Sequence, residues 1–127
     1  MTDVARITEP GQHALELGRK CEDMIATAYV ALRQFPKFER HVLGAEIRQS
    51  LWQLLRLVTI CGRRYHKKTT LEQLAVEIDM LRSYVRTAMK LKYLSFDKYE
   101  RWQRQIDEIG RMIGSWINKL RAREQRG

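Results

Sequence analysis

The sequence predicts an all-α protein, an antiparallel up-down four-helix bundle that forms a single domain over residues 1–127. The chain contains only two prolines and no strand-like alternation, which favours long helices. Its apolar residues recur at intervals of three and four in four successive segments. Short connections between these segments force consecutive helices to lie side by side. The two ends, about 1–10 and 121–127, are expected to be flexible.

The first two predicted helices are separated by the sequence Phe35-Pro36, because proline cannot continue a helix. Helix periodicity indicates a first helix over about Gln12–Gln34 and a second over about Phe38–Tyr65, the latter about 40 Å long. The apolar positions that support them are Ala14, Gly18, Cys21, Ile25, Ala28 and Leu32, followed by Leu43, Ile47, Leu51, Leu54, Val58, Cys61 and Tyr65.

The third and fourth helices have recognisable N-terminal signals. Thr69 with Glu72, or Thr70 with Gln73, fits a capping box, so the third helix is expected to begin there. Ser95 is the predicted N-cap of the fourth helix. The apolar positions are Leu71, Leu74, Ile78, Leu81, Val85 and Ala88 in the third helix, and Tyr99, Trp102, Ile106, Ile109, Ile113, Trp116 or Ile117, and Leu120 in the fourth.

Two glycines, Gly110 and Gly114, lie four residues apart in the fourth predicted helix. Each costs about 1 kcal/mol of helix stability relative to alanine, so some contact should compensate for it. We expect the backbone of a neighbouring helix to approach closely here, while a functional contact with a ligand is the alternative. Trp102 and Trp116 are expected to pack nearby.

The distribution of charge is the most informative chemical feature. With 24 Lys and Arg against 15 Asp and Glu, the formal charge is +9, which attracts nucleic acid, an acidic protein surface or an anionic membrane. Two windows, Glu46–Glu72 and Asp79–Asp97, contain no acidic residue between their ends. The basic tail after residue 118 is interpreted as a soluble helix end. The residues predicted to bind nucleic acid or a partner are Arg82, Arg86, Lys90, Arg48, Arg56, Arg63, Arg64 and Lys67.

The spacing of these cations favours a binding surface over a solvated face. Arg82, Arg86 and Lys90 recur every four residues, and like charges at this spacing repel one another along a helix. Trp52 lies between Arg48 and Arg56 at the same spacing. Its ring is expected to pack against a second subunit or, as the alternative, to stack on a base.

The sequence has none of the common motifs of catalytic, cofactor or metal sites. It contains no glycine-rich phosphate loop, nucleophile elbow, CxxC or ExxH pair, so we expect neither an enzyme nor a cofactor or metal. Cys21 and Cys61 are predicted to be buried apolar residues, and a reducing, cytoplasmic location is expected. The apolar run Leu57–Gly62 is too short to cross a membrane, so no membrane partner is expected.

The chain contains three distinctive stretches: FPKFERHVLG at Phe35–Gly44, MLRSYVR at Met80–Arg86 and IGRMIGSWI at Ile109–Ile117. Together they resemble a known family, the accessory variability determinants (Avd) of diversity-generating retroelements. The resemblance covers about Tyr29–Lys119, and its most specific part is the block G-R-x-I-G-S-W near the end of the chain. Four-helix bundle proteins encoded in ribosomal RNA intervening sequences share the fold and the Phe-Pro turn.

The resemblance implies a ring-shaped homopentamer that binds the reverse transcriptase of the retroelement and its template RNA, with DNA as a further nucleic-acid partner. It implies support of mutagenic cDNA synthesis without chemistry of its own. The family pattern M-L-R-x-x-x-R matches Arg82 and Arg86, which are therefore expected to contact the partner. Both lie on a different side of the predicted helix from its apolar positions, so they are also expected to be dispensable for folding. The alternative is a structural homo-oligomer of the intervening-sequence type, in which the basic charge is incidental.

Overall fold

The computed structural model describes the backbone of residues 2–126 and the side chains of residues 12–125, and it confirms the all-α four-helix bundle. Each long helix packs against two others: α1 and α3 each contact both α2 and α4. The single hydrophobic core lies between the four helices. The helices are α1 (Thr2–Leu32), α2 (Leu43–Arg63), α3 (Lys68–Lys90) and α4 (Phe96–Arg126), with a 3₁₀ turn at Glu39–His41 before α2.

The bounds of the first two helices differ from the predicted ones. α1 begins at Thr2, before the predicted start at Gln12, so Pro10 lies inside the helix, where it removes one backbone hydrogen-bond donor. α2 has 21 residues and is about 32 Å long, because the chain forms a separate 3₁₀ turn before it and leaves the helix at Arg64. Tyr65 therefore lies beyond α2 and is 91% exposed, so its predicted place in the core is wrong.

The turn after α1 is held by both packing and hydrogen bonds. Phe35 is buried, and its ring centroid lies 5.7 Å from that of Tyr93. Arg40 donates its Nε–H to the carbonyl oxygen of Phe35 at 3.1 Å and its Nη2–H to that of Arg33. These bonds satisfy two carbonyl groups of the turn that follows α1.

The connection between α2 and α3 does not use the predicted capping box. α3 begins at Lys68, and its N-cap Lys67 makes no side-chain capping bond. Thr70 is buried instead, and its hydroxyl accepts a hydrogen bond from Arg64 Nη1 at 3.1 Å. The Thr70 hydroxyl therefore bonds to the preceding loop and does not cap α3.

The connection between α3 and α4 combines two capping motifs. Lys92 has a positive φ of 64°, and the amides of Lys92 and Tyr93 donate to the carbonyls of Met89 and Ala88, which is a Schellman motif. The predicted N-cap Ser95 is confirmed, since its Oγ accepts from the amide of Lys98 at 3.4 Å.

The predicted core is largely confirmed. All six apolar positions predicted in α3 are buried, as are Trp102 and Trp116 in α4. Cys21 and Cys61 are free and buried, as predicted. Burial raises the pKa of the Cys21 thiol to about 12 and also raises the pKa of Cys61, so both stay protonated near neutral pH. Within residues 2–126, no helix is both long enough and apolar enough to cross a membrane.

Candidate functional site

The eight predicted binding residues fall into two groups according to what their donor atoms contact. Arg82, Arg48, Lys67 and Arg64 donate to groups of their own chain. Arg86, Lys90, Arg56 and Arg63 are exposed and form no ion pair among residues 12–125. The structure therefore does not bring the eight cations together as one site.

Arg82 is bound between two helices. Its Nη1 lies 3.1 Å from Asp79 Oδ1, one turn earlier on α3, and its Nη2 lies 3.1 Å from Asp107 Oδ1 on α4. The carbonyl oxygen of Arg82 accepts a hydrogen bond from Gln103 Nε2 at 3.3 Å. Its side chain is only 28% exposed. The expectation that the Arg82 side chain is exposed is therefore wrong, because α4 supplies the carboxylate that the acid-free window of α3 lacks. Its dispensability for folding stays a prediction.

The two glycines of α4 do not have the role predicted for them. A Cβ atom on Gly110 would lie 3.3 Å from Arg82 Nη2, and one on Gly114 would have no neighbour within 4 Å. The expected close approach of a helix backbone is therefore wrong at both positions. Gly110 instead leaves room for the Arg82 guanidinium, and both glycines line a surface groove of about 350 Å³ between α3 and α4.

The last two turns of α3 carry the cations that remain accessible there. Arg86 and Lys90 are exposed, and neither forms an ion pair among residues 12–125. Leu81, Val85 and Ala88 are buried on the opposite side of the same helix. The basic stripe predicted on α3 is therefore reduced to its C-terminal half.

Two cations of α2 and its following loop satisfy backbone groups. Arg48 Nη2 donates to the carbonyl oxygen of Arg40 at 2.9 Å. Lys67 Nζ donates to the carbonyl oxygens of Cys61 and Arg64 at 2.7 and 2.6 Å, and it lies 5.8 Å from the centroid of the Trp116 ring. Lys67 thus caps the C-terminus of α2, where helix carbonyls carry partial negative charge.

Arg56 and Arg63 form the second accessible group, on the outer side of α2. Because α2 and α3 run antiparallel and are joined by four residues, Arg63 lies at the opposite end of the bundle from Arg86 and Lys90. The four accessible cations of the predicted set therefore form two separate patches. We call Arg86 and Lys90 the α3 patch, and Arg56 and Arg63 the α2 patch.

Trp52 lies beside the α2 patch but is not an isolated aromatic. Its Nε1–H donates to the hydroxyl of Tyr29 on α1 at 2.9 Å, and the two rings meet edge to face with centroids 6.5 Å apart. The Trp52 side chain is still 48% exposed. Packing of this ring against a second subunit or a base stays a prediction.

Sequence reasoning missed the partners that decide which cations are accessible. Asp107 lies outside the acid-free window that contains Arg82, and its contact with Arg82 spans 25 residues of sequence. Arg40 was not singled out, although it organises the first turn through two carbonyl groups. No local signal predicts such contacts, since each depends on how two elements pack.

Comparison with known proteins identifies one family. The family model described as bAvd-like matches residues 15–120, which includes most of α1 and all of α2 and α3. No curated protein matches the sequence. The matched range contains all eight predicted binding residues.

Proposed function

The chain belongs to the bAvd-like family, the non-catalytic accessory proteins of diversity-generating retroelements, and on that premise we propose that it binds the retroelement's reverse transcriptase and template RNA. In this proposal the protein supports mutagenic cDNA synthesis and contributes no chemistry. The α3 patch and the α2 patch are the contact surfaces.

The proposal rests on one observation: four of the eight predicted cations donate to groups of their own chain, and the other four are exposed and unpaired among the described residues. Arg86, Lys90, Arg56 and Arg63 are exposed, and no ion pair with a described residue neutralises them. Side chains of this kind bind phosphate groups and release counterions, without reading base sequence. Arg82 is assigned a different part: it fixes α3 against α4, one turn from Arg86, and so positions the α3 patch.

The proposal includes assembly into a closed homopentamer, which would repeat both patches around a ring. Several large apolar side chains remain exposed and are available for contacts between subunits. They include Trp52 at 48%, Val76 at 63% and Met80 at 44% exposure. Light scattering at micromolar concentration measures the assembly: a pentameric mass supports this part of the proposal, and a monomeric mass contradicts it.

The binding proposal is tested with substitutions that change charge equally at different places. We expect Arg86→Gln/Lys90→Gln to weaken template RNA binding about tenfold and to lower the salt slope of binding by about 2, one unit for each lost phosphate contact. Arg56→Gln/Arg63→Gln should also weaken RNA binding and lower its salt slope. The matched control is Arg19→Gln/Arg123→Gln, which removes two exposed cations outside both patches. Affinities are measured at two salt concentrations, with circular dichroism and sizing on each sample.

A reverse-transcriptase pull-down with the same variants separates the proposal from the structural alternative. Reduced capture by the α3 variant, with full capture by the control, supports the assignment. Equal losses in all variants would show that net charge acts without a defined surface. Unchanged binding of both RNA and enzyme would favour a structural homo-oligomer whose basic charge is incidental.

A further inference from the structure

The cavity between α2 and α3 is lined by no cation, although the chain has a formal charge of +9. Its volume is about 200 Å³. The carboxylates of Glu46 and Glu77 line it, and neither forms an ion pair with a described residue. Met80 lies about one helical turn after Glu77 on the same side of α3 and is 44% exposed. We call Glu46, Glu77 and Met80 the acidic face.

The Glu77 carboxylate is already partly removed from water. Its Oε2 accepts a hydrogen bond at 2.7 Å from Ser50 Oγ, and Ser50 is only 4% exposed. Burial raises the pKa of Tyr84, which lines the same cavity, and the charges of Glu46 and Glu77 raise it further. Covering such carboxylates without a countercharge is costly. A surface that covers the acidic face must therefore supply cations.

A second group of residues on the same chain has the complementary composition. Lys98 and Arg101 border a cavity of about 210 Å³ between α1 and α4, and neither forms an ion pair with a described residue. Val30 lines the same cavity and is 51% exposed. Two cations beside an exposed valine thus correspond to two carboxylates beside an exposed methionine. We call Lys98, Arg101 and Val30 the basic face.

The two faces lie on opposite sides of the bundle and at the same height. α1 and α3 each contact both α2 and α4, so the α1/α4 groove is opposite the α2/α3 groove. The carbonyl oxygen of Arg82 accepts a hydrogen bond from Gln103 Nε2, which places these two residues beside each other. Because α3 and α4 run antiparallel, Arg101 lies at the height of Tyr84, which lines the α2/α3 cavity with Glu46. Copies that stand side by side, related by rotation about a parallel axis, meet at equal heights.

Copies of a chain with a charge of +9 repel one another, so a contact between them needs a place where the sign of the charge reverses. We propose that the acidic face of one copy binds the basic face of the next copy. The carboxylates of the first pair with the cations of the second, and Met80 packs on Val30. Such a head-to-tail contact between two different surfaces is what a ring of more than two copies requires.

This inference rests on the assembly that the proposed function includes, and it names the surfaces that form that assembly. Neither face contains a residue of the α3 patch or the α2 patch. Binding of RNA through the patches therefore does not depend on which faces join the copies, and the two proposals can fail separately.

A charge swap at one pair tests the contact. Glu46→Lys and Arg101→Glu each change an exposed side chain, so folding stays intact. Each should raise the dissociation constant of the assembly at least about tenfold, because it sets like charges against each other. Both changes in one chain restore a pair of opposite charges and should recover most of this loss. Analytical ultracentrifugation over a range of protein concentrations measures the constant, with circular dichroism on each sample.

The matched controls are Glu22→Lys and Arg19→Glu, which make the same charge changes at exposed positions of α1 outside both faces. They should alter the dissociation constant by less than about twofold. Arg101→Glu lowers the net positive charge of the chain, so general repulsion alone predicts tighter assembly, which is opposite to the effect of a lost pair.

The proposal is overturned if the wild-type chain assembles and neither single variant weakens the assembly, if the double variant fails to recover, or if the controls act equally. Reduced capture of reverse transcriptase by Glu46→Lys, with the assembly unchanged, would assign this face to the enzyme and also overturn the proposal. A monomeric wild-type chain would contradict the assembly itself, and this inference with it.

Discussion

The middle of α3 and its C-terminal turns carry the same type of residue at the same spacing, yet the surroundings of these side chains differ. At Arg82, carboxylates of Asp79 and Asp107 lie 3.1 Å from the guanidinium, and Gly110 leaves space beside it. At Arg86 and Lys90, one and two turns later, none of the described residues supplies an anion. The difference shows that cations at equal spacing along one helix remain unpaired only where the neighbouring helix supplies no carboxylate.

The sharpest test of this difference is a pair of double-mutant cycles. Arg82→Ala should lower the free energy of unfolding by about 1.5 kcal/mol, since a partly buried guanidinium loses two ion pairs and leaves Asp107 without its partner. The coupling between Arg82→Ala and Asp107→Ala should be about 1 kcal/mol. Urea denaturation measures each value.

Arg86→Ala provides the control cycle for this network. With Asp107→Ala it should show no coupling, and alone it should change stability by less than about 0.5 kcal/mol. Equal destabilisation by Arg82→Ala and Arg86→Ala would remove the distinction between the two parts of α3. Loss of partner binding in the Arg86 variant alone would strengthen it.

The same contrast occurs on a smaller scale between two neighbouring lysines. Lys67 donates to two carbonyl groups at the end of α2, whereas Lys68 is exposed on the first turn of α3. Lys67→Met should therefore lower the free energy of unfolding by about 1 kcal/mol through loss of the cap, and Lys68→Met by less than about 0.5 kcal/mol. Thermal melts of both variants give the comparison, and a reversed order contradicts the capping role.

The glycines of α4 give the smallest and most easily separated effects. Gly114→Ala should raise the free energy of unfolding by about 0.8 kcal/mol, because alanine is the better helix former and its Cβ meets no atom within 4 Å. Gly110→Ala should raise the free energy of unfolding by less than this, because its Cβ would crowd Arg82 Nη2 at 3.3 Å.

Removing the arginine tests the cause of this difference. In an Arg82→Ala background the Gly110 substitution should recover the full gain expected for Gly114, because the crowding atom is absent. Urea denaturation of the four variants measures this gain. If Gly110→Ala still stabilises the protein less than Gly114→Ala when Arg82 is absent, the Arg82 guanidinium is not the cause of the difference.

The sequence by itself determined the helical class, the heptad positions of the core and the family. These follow from patterns along one helix face, which a chain displays without folding: all six predicted positions of α3 are buried, and Ser95 caps α4. The sequence could not determine which cations form ion pairs and which remain accessible. The local sequence does not distinguish the paired Arg82 from the unpaired Arg86. It also does not distinguish a Thr70 that caps a helix from a Thr70 that accepts a hydrogen bond from Arg64.

Only the tertiary structure decided which charges are paired, which glycines have neighbours and which carboxylates line one cavity. Asp107 reaches Arg82 across 25 residues, and Glu46 and Glu77 line one cavity only because α2 packs beside α3. Hydrophobic burial depends on the period of the sequence, so it can be predicted locally. Hydrogen bonds and ion pairs require atoms within about 3 Å, and that proximity is set by how separate helices meet.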